Sequence, residues 1–145
     1  MTSRLSKVHF FSTDRKHNIR SVKRLRRFVK SIFKAEGKSL ENINYIFCSD
    51  SHVLKINKQY LNHNFFTDII TFDLSNKRGP INGEVFISVD RVKDNSKRLG
   101  ITNNSEIHRV IFHGALHLCG YKDKTKKQVL QMRAKEDELL LQYFS

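Results

Sequence analysis

Apolar positions recur every three or four residues through Ile19, Val22, Leu25, Val29 and Ile32, a spacing that predicts an amphipathic helix from Asn18 to about Ala35, stopped by Gly37. Before it, Val8–Phe11 reads as a short strand. After it, Ile43–Cys48 reads as another, and Ser49-Asp50-Ser51 supplies an N-cap for a helix over His52–Leu61. The β-branched and aromatic run Asp68–Leu74 predicts a strand, Ser75–Ile81 (with the lone proline, Pro80) a turn, and Glu84–Val89 the returning strand of an antiparallel hairpin. Asp90 is placed to cap a helix that runs to Leu99 and ends at Gly100. Ser105 begins another, carrying Ile107, Val110, Ile111 and Leu116 to a stop at Gly120. Thr125 with Gln128 three residues on forms a capping box for a last helix reaching about Tyr143. The order β-α-β-α-β-β-α-α-α predicts an α+β (mixed α/β) fold, with a small mixed sheet of about four strands and about five helices packed on it.

Composition narrows the class. The chain has 145 residues, 39% of them hydrophobic, which suits a single domain spanning 1–145 and excludes a wholly disordered chain. No apolar run approaches the roughly 18 residues of a membrane span, and no secretory signal follows Met1. Cys48 and Cys119 lack C-x-x-C spacing and read as reduced core thiols, so a cytoplasmic protein is expected.

Charge changes the picture more. The net charge is +13, and residues 1–34 hold eleven Lys and Arg (Arg4 and Lys7 among them) against Asp14 alone, which places +10 of the total in the first quarter of the chain. On the first helix Lys23, Arg27, Lys30 and Lys34 form a stripe on a face distinct from the apolar one. Two readings fit: a solvated face that keeps the protein soluble, or a ridge that attracts a polyanion with salt-dependent affinity. The absence of a compensating acidic block favours nucleic acid. A membrane surface suits it less, because the core takes the helix's apolar face.

His113 and His117 lie four residues apart on the helix that ends at Gly120, so their imidazoles emerge about 40° apart on one face. Such a pair can hold one metal ion, and it also fits one core and one surface histidine. Gly120 and Tyr121-Lys122 turn the chain, and Asp123 arrives six residues after His117, within reach of the open side of the pair. Two nitrogens and one oxygen leave a coordination position for water, the mark of a catalytic ion at the end of a helix. Gly114 frees space beside His113 at a cost of about 1 kcal/mol in helix propensity, and Cys119 points away from the pair towards the core. A zinc protease of the H-E-x-x-H type is excluded, since Gly114 stands where its glutamate must be. A non-haem iron oxygenase shares the donor set, but no second signature accompanies it.

The run from His113 to Asp123, His-Gly-Ala-Leu-His-Leu-Cys-Gly-Tyr-Lys-Asp, closely resembles the hallmark H-G-x-L-H-L-x-G-Y-D-H of the YbeY family of bacterial metallo-endoribonucleases. Asn57 to Leu61 and Thr67 to Phe72 resemble its N-x-x-Y-R and T-[ND]-V-L-S-F segments, Gly83 to Ser88 its G-D-I-x-I-S strand, and Met132 and Glu136 its closing helix. The resemblance covers about residues 45 to 140. It implies one Zn²⁺ per chain on His113, His117 and Asp123, with RNA, ribosomes or pre-ribosomal particles as partners, ribosomal or assembly proteins beside them, and no membrane. It implies single-strand-specific cleavage in maturation of the 3′ end of 16S (small-subunit) rRNA and in late ribosome quality control. No general base is assigned, and the stripe Lys23, Arg27, Lys30 and Lys34 would position the RNA backbone.

Two positions depart from the family pattern. Asp123 stands where the third ligand is histidine; a carboxylate leaves zinc a weaker Lewis acid, so a more alkaline activity optimum is expected. Leu61 stands where the family usually carries an arginine, leaving that role to Lys58 or His63 or to no residue. The alternatives from other classes are a non-catalytic ribosome assembly factor with a structural metal, and a metal-dependent hydrolase of another substrate.

Overall fold

The computed structural model describes residues 7–145, so Arg4 of the basic N-terminal stretch lies outside the described residues. Nine elements follow one another: β1 (Val8–Ser12), α1 (Val22–Ala35), β2 (Leu40–Cys48), α2 (Asp50–Leu61), β3 (Ile69–Asp73), β4 (Ile81–Ser88), α3 (Val89–Leu99), α4 (Asn103–Leu118) and α5 (Lys126–Phe144). This is the expected α+β order. The four strands form one sheet in the order β1-β2-β4-β3. The first three are parallel, and β3 closes the far edge antiparallel to β4, with Ile70 opposite Phe86 as the hairpin requires.

Period-two alternation divides the sheet's side chains between two layers. Ile43, Tyr45 and Phe47 of β2, with Val85 and Ile87 of β4, enter the main core beneath α1, α4 and α5. Cys48, Ile70, Phe72 and Phe86 face the other way, where Val53 and Ile56 of α2 cover them. Both cysteines are buried and free, and burial pushes each thiol up to about 12. Among the described residues no helix is long and apolar enough to cross a membrane.

Several element ends differ from expectation for a local reason. α1 begins at Val22 rather than Asn18, because Ser21 takes a left-handed conformation (φ 53). Ser88, not Asp90, caps α3: its Oγ accepts the Arg91 N–H at 3.0 Å. Asp90 instead receives the Asp50 N–H at 2.9 Å. Thr102, not Ser105, caps α4, accepting the Ser105 N–H at 3.0 Å. α2 starts at Asp50 because Ser49 makes the cap. The Thr125–Gln128 capping box of α5 forms in full.

α4 is the central helix, packed against α1, α3, α5 and the β3–β4 hairpin. Its residues Ile107, Ile111, Phe112 and Leu116 are fully buried, each contributing on the order of 1.5–3 kcal/mol. The buried Tyr45 hydroxyl donates to the Ile111 carbonyl at 2.9 Å and fixes the helix on the sheet. Two glycines set how closely it lies. A Cβ on Gly114 would come within 2.9 Å of Val85 Cγ1, and one on Gly83 within 2.6 Å of Leu118 Cδ1. The space that Gly114 leaves is filled by the sheet.

Candidate metal centre

The last two turns of α4 carry His113 and His117 side by side, their ring centroids 4.7 Å apart. Gly120 (φ 107) then reverses the chain, and the Tyr121 N–H bonds back to the Leu116 carbonyl at 3.0 Å. The reversed loop is fastened at both ends: the Tyr121 hydroxyl donates to Glu36 at 3.2 Å, and the Lys124 N–H donates to Gln128 Oε1 at 3.1 Å. Between these points Asp123 folds over the histidine pair. Its Oδ2 lies 3.4 Å from Nε2 of His113 and 3.4 Å from Nε2 of His117. One ligand atom from each of the three residues falls within 4.8 Å of the others. Two imidazole nitrogens and a carboxylate oxygen converging on one point suit a divalent ion such as Zn²⁺.

A second set of contacts decides which nitrogen of His113 is available. Its Nδ1 meets Glu136 Oε2 at 2.5 Å, so the ring donates there and turns Nε2 towards Asp123. Glu136 is 4% exposed, and Arg109 holds its other oxygen at 2.9 Å while reaching Asp137 at 2.7 Å. Burial disfavours charge on His113 and is the largest single influence, but the Glu136 hydrogen bond and the charges of Glu136, Asp123 and Asp68 together outweigh it, and the imidazole pKa is raised. Burial raises the carboxyls of Asp68 and Glu106, opposed by His113 in the first case and by Arg109 in the second.

The three residues open onto a cavity of about 590 Å³. One wall is the α4 face that carries Glu106, Arg109, Val110, His113 and His117, and the others come from Asp68 and one face of β3, from α3 and from α5. An ion held by three protein groups here would keep a free side towards a space of nucleotide size.

The structure brings His113, His117 and Asp123 together and leaves the basic stripe elsewhere. Lys23, Arg27, Lys30 and Lys34 are all exposed on α1, and none of them lines the cavity. Arg27, Lys30 and Lys34 instead border a separate groove of about 410 Å³ with Lys7 and Lys38. Leu61 is 39% exposed, and neither Lys58 nor His63 lines the metal cavity. The cavity's arginines are Arg98, Arg109 and Arg133, none of which the sequence reading singled out. Glu106, Arg109, His113 and His117 share helical spacing on α4, a signal that the sequence itself carries. Glu136 is recognisable from the sequence only by its match to the closing helix, which says nothing of His113.

Residues 9–144 match the family model described as endoribonuclease YbeY. A protein of that name from Cytophaga hutchinsonii is 48% identical over 133 residues, covering 92% of this chain and 93% of the relative. One from Porphyromonas gingivalis is 46% identical over 126 residues, 83% of each chain. A solution structure of a Thermotoga maritima protein superposes with a TM-score of 0.64 at 23% identity, over 94% of this chain and 89% of that one, which shows a shared fold. Family model, sequence relatives and fold agree along almost the whole length, and the chain belongs to the YbeY family of endoribonucleases.

Proposed function

We propose that the chain is a zinc-dependent, single-strand-specific endoribonuclease that matures the 3′ end of 16S ribosomal RNA in the cytoplasm and takes part in late ribosome quality control. One observation carries the chemistry: His113, His117 and Asp123 converge at the mouth of a nucleotide-sized cavity. These three residues would hold the ion, with Nε2 of His113 presented by the Glu136 hydrogen bond. Zn²⁺ bound there supplies Lewis acidity, which lowers the pKa of a water and polarises a phosphoryl oxygen. The protein contributes a fixed donor set, a walled space that limits bulk water, and cations for the RNA. The exposed stripe Lys23, Arg27, Lys30 and Lys34 would hold the strand by its phosphates, without reading sequence. The substrate is ribosomal RNA within ribosomes or pre-ribosomal particles, where ribosomal or assembly proteins would be neighbours. The donor set and the YbeY names of the relatives support this reading.

The test is cleavage of a single-stranded RNA and of its duplex by highly purified protein beside His117→Ala. Zinc-restorable cutting of the single strand, lost in a folded His117→Ala, is expected. Equal cutting by both proteins would mark a contaminating nuclease and contradict the reading. A folded, zinc-loaded protein that cuts nothing would point instead to a structural metal in an assembly factor.

A further inference from the structure

Three arginines border the metal cavity: Arg98 on α3, Arg109 on α4 and Arg133 on α5. They are not equivalent. Arg109 is mostly buried and committed, with Glu136 at 2.9 Å, Asp137 at 2.7 Å and Glu106 at 3.8 Å around its guanidinium. Its Nε has no hydrogen-bond partner among the described residues but is itself buried, so the side chain presents no open fork of N–H donors to an incoming anion. Arg98 and Arg133 are exposed. Arg98 donates to the neutral Asn95 Oδ1 at 2.7 Å. Arg133 has Glu136 Oε1 at 3.8 Å, beyond hydrogen-bond distance, and Arg109 already holds that oxygen. Both guanidinium groups therefore keep donors free at the cavity's edge, on two of the helices that pack against α4.

The cavity's charge requires such groups. Its lining includes the carboxyls of Asp68, Asp73, Glu106, Asp123 and Glu136. Arg109 supplies one positive charge beside Glu136 and Glu106 and a divalent ion would supply two, so three positive charges stand against five carboxyls and the wall stays acidic. An acidic wall repels a polyanion unless cations stand where the strand enters. Both arginines are also registered on the site. Asn95, which orients Arg98, donates to Asp68 at 3.5 Å. Arg133 lies one helical turn before Glu136, whose Oε2 holds His113.

We propose that Arg98 and Arg133 are the phosphate-binding residues of the metal cavity, each taking the nonbridging oxygens of a phosphate in a single RNA strand laid across the histidine pair. Arginine suits the task because its planar fork matches two phosphate oxygens at once, where lysine offers a point charge. The proposal rests on the endoribonuclease reading and extends it from the metal to the substrate's backbone. The α1 stripe is a separate contact, since none of its residues lines this cavity.

The experiment uses the zinc-loaded full chain: wild type, Arg98→Gln, Arg133→Gln, the double variant, Arg133→Lys, and Lys97→Gln as a control. Lys97 is exposed on α3 and does not line the cavity, so its loss changes net charge alone. Binding is read by fluorescence anisotropy with a 2′-O-methylated single-stranded RNA over a salt series, and kcat and KM with the unmodified RNA. Each Arg→Gln change is expected to weaken binding on the order of tenfold, and the double variant more. The double variant should also show a shallower salt dependence, Arg133→Lys should recover only part of the loss, and Lys97→Gln should match wild type. Zinc content and thermal midpoint should not move, because both arginines are exposed and neither reaches the histidines. If the double variant binds and cuts like Lys97→Gln, or if Lys97→Gln loses as much, the proposal is overturned while the nuclease reading stands. Wild-type protein that neither binds nor cuts the RNA overturns that reading, and the proposal with it.

Discussion

Glu136 shows how one side chain shapes the site through the neighbours it holds. It receives the His113 Nδ1 proton at 2.5 Å and is held in turn by Arg109. Glu136→Gln weakens both contacts, so zinc affinity should fall about 10–100-fold. A chelator-competition titration checks this, and unchanged affinity would reduce Glu136 to a packing residue. Asp123 bears on reactivity. On a bound ion its carboxylate would place more negative charge than a third imidazole, so Asp123→His should move the pH–rate profile of RNA cleavage to lower pH. Profiles that superimpose would refute that role. Glu136 and Asp123 differ in how far the sequence reveals them. Asp123 follows from its distance after His117, whereas the Glu136–His113 contact joins residues 23 positions apart on different helices, and no local pattern announces it.

Among the elements, α4 has to satisfy the sheet, the core and the site together. Gly114→Ala should improve its helix propensity by about 1 kcal/mol, yet the new methyl would meet Val85 Cγ1 at 2.9 Å and Ile69 Cδ1 at 3.3 Å. Overpacking of this kind costs about 1–3 kcal/mol, so a net loss of stability is expected in urea denaturation; a gain would mean that the helix can lift off the sheet freely. Earlier on α4, His108 is 2% exposed, with Nδ1 2.7 Å from the Asn104 carbonyl and Nε2 without a partner among the described residues. Burial holds its pKa below the usual 6.5, reinforced by His17 and Arg24 and opposed by the Asn104 bond. The unfolded chain therefore takes up the proton first, and stability should decline as pH falls below about 6.5, towards the lowered folded value. His108→Phe should flatten the pH dependence of the urea midpoint between pH 7 and 5; an equally steep curve would assign the dependence to another group. The types and order of the elements were legible because apolar spacing and stop glycines act locally. Caps were less so: Ser88 outcompetes Asp90, and Thr102 outcompetes Ser105, since each candidate offers an oxygen and only the path of the preceding chain decides between them.

Across the whole molecule, the sequence locates the charge and the chemistry, and the fold shows how they are arranged. Much of the N-terminal charge is available to a partner, but not all: Arg24 donates to the Tyr143 carbonyl and lies 4.0 Å over that ring, and Arg26 donates to the Val8 carbonyl at 3.2 Å. The groove beside Arg27, Lys30 and Lys34 is separate from the metal cavity, though the Tyr121–Glu36 bond ties the loop of Asp123 to the end of α1. Reversing charge at Lys23, Arg27 and Lys30 should weaken RNA binding and flatten its salt dependence. Unchanged affinity across a salt series would remove the stripe from the RNA path. The cavity itself could not be read from the sequence, because its walls come from four elements and the loop of Asp123, which are brought together by the packing of β3, α3 and α5 on α4. The claim on which all of this depends is that His113, His117 and Asp123 together hold an ion. Its most direct test is metal content per chain after purification and zinc exchange, in wild type beside a folded Asp123→Ala. The account predicts about one zinc in the wild type and a large loss in the variant; no zinc in the wild type, or equal zinc in both, would contradict it.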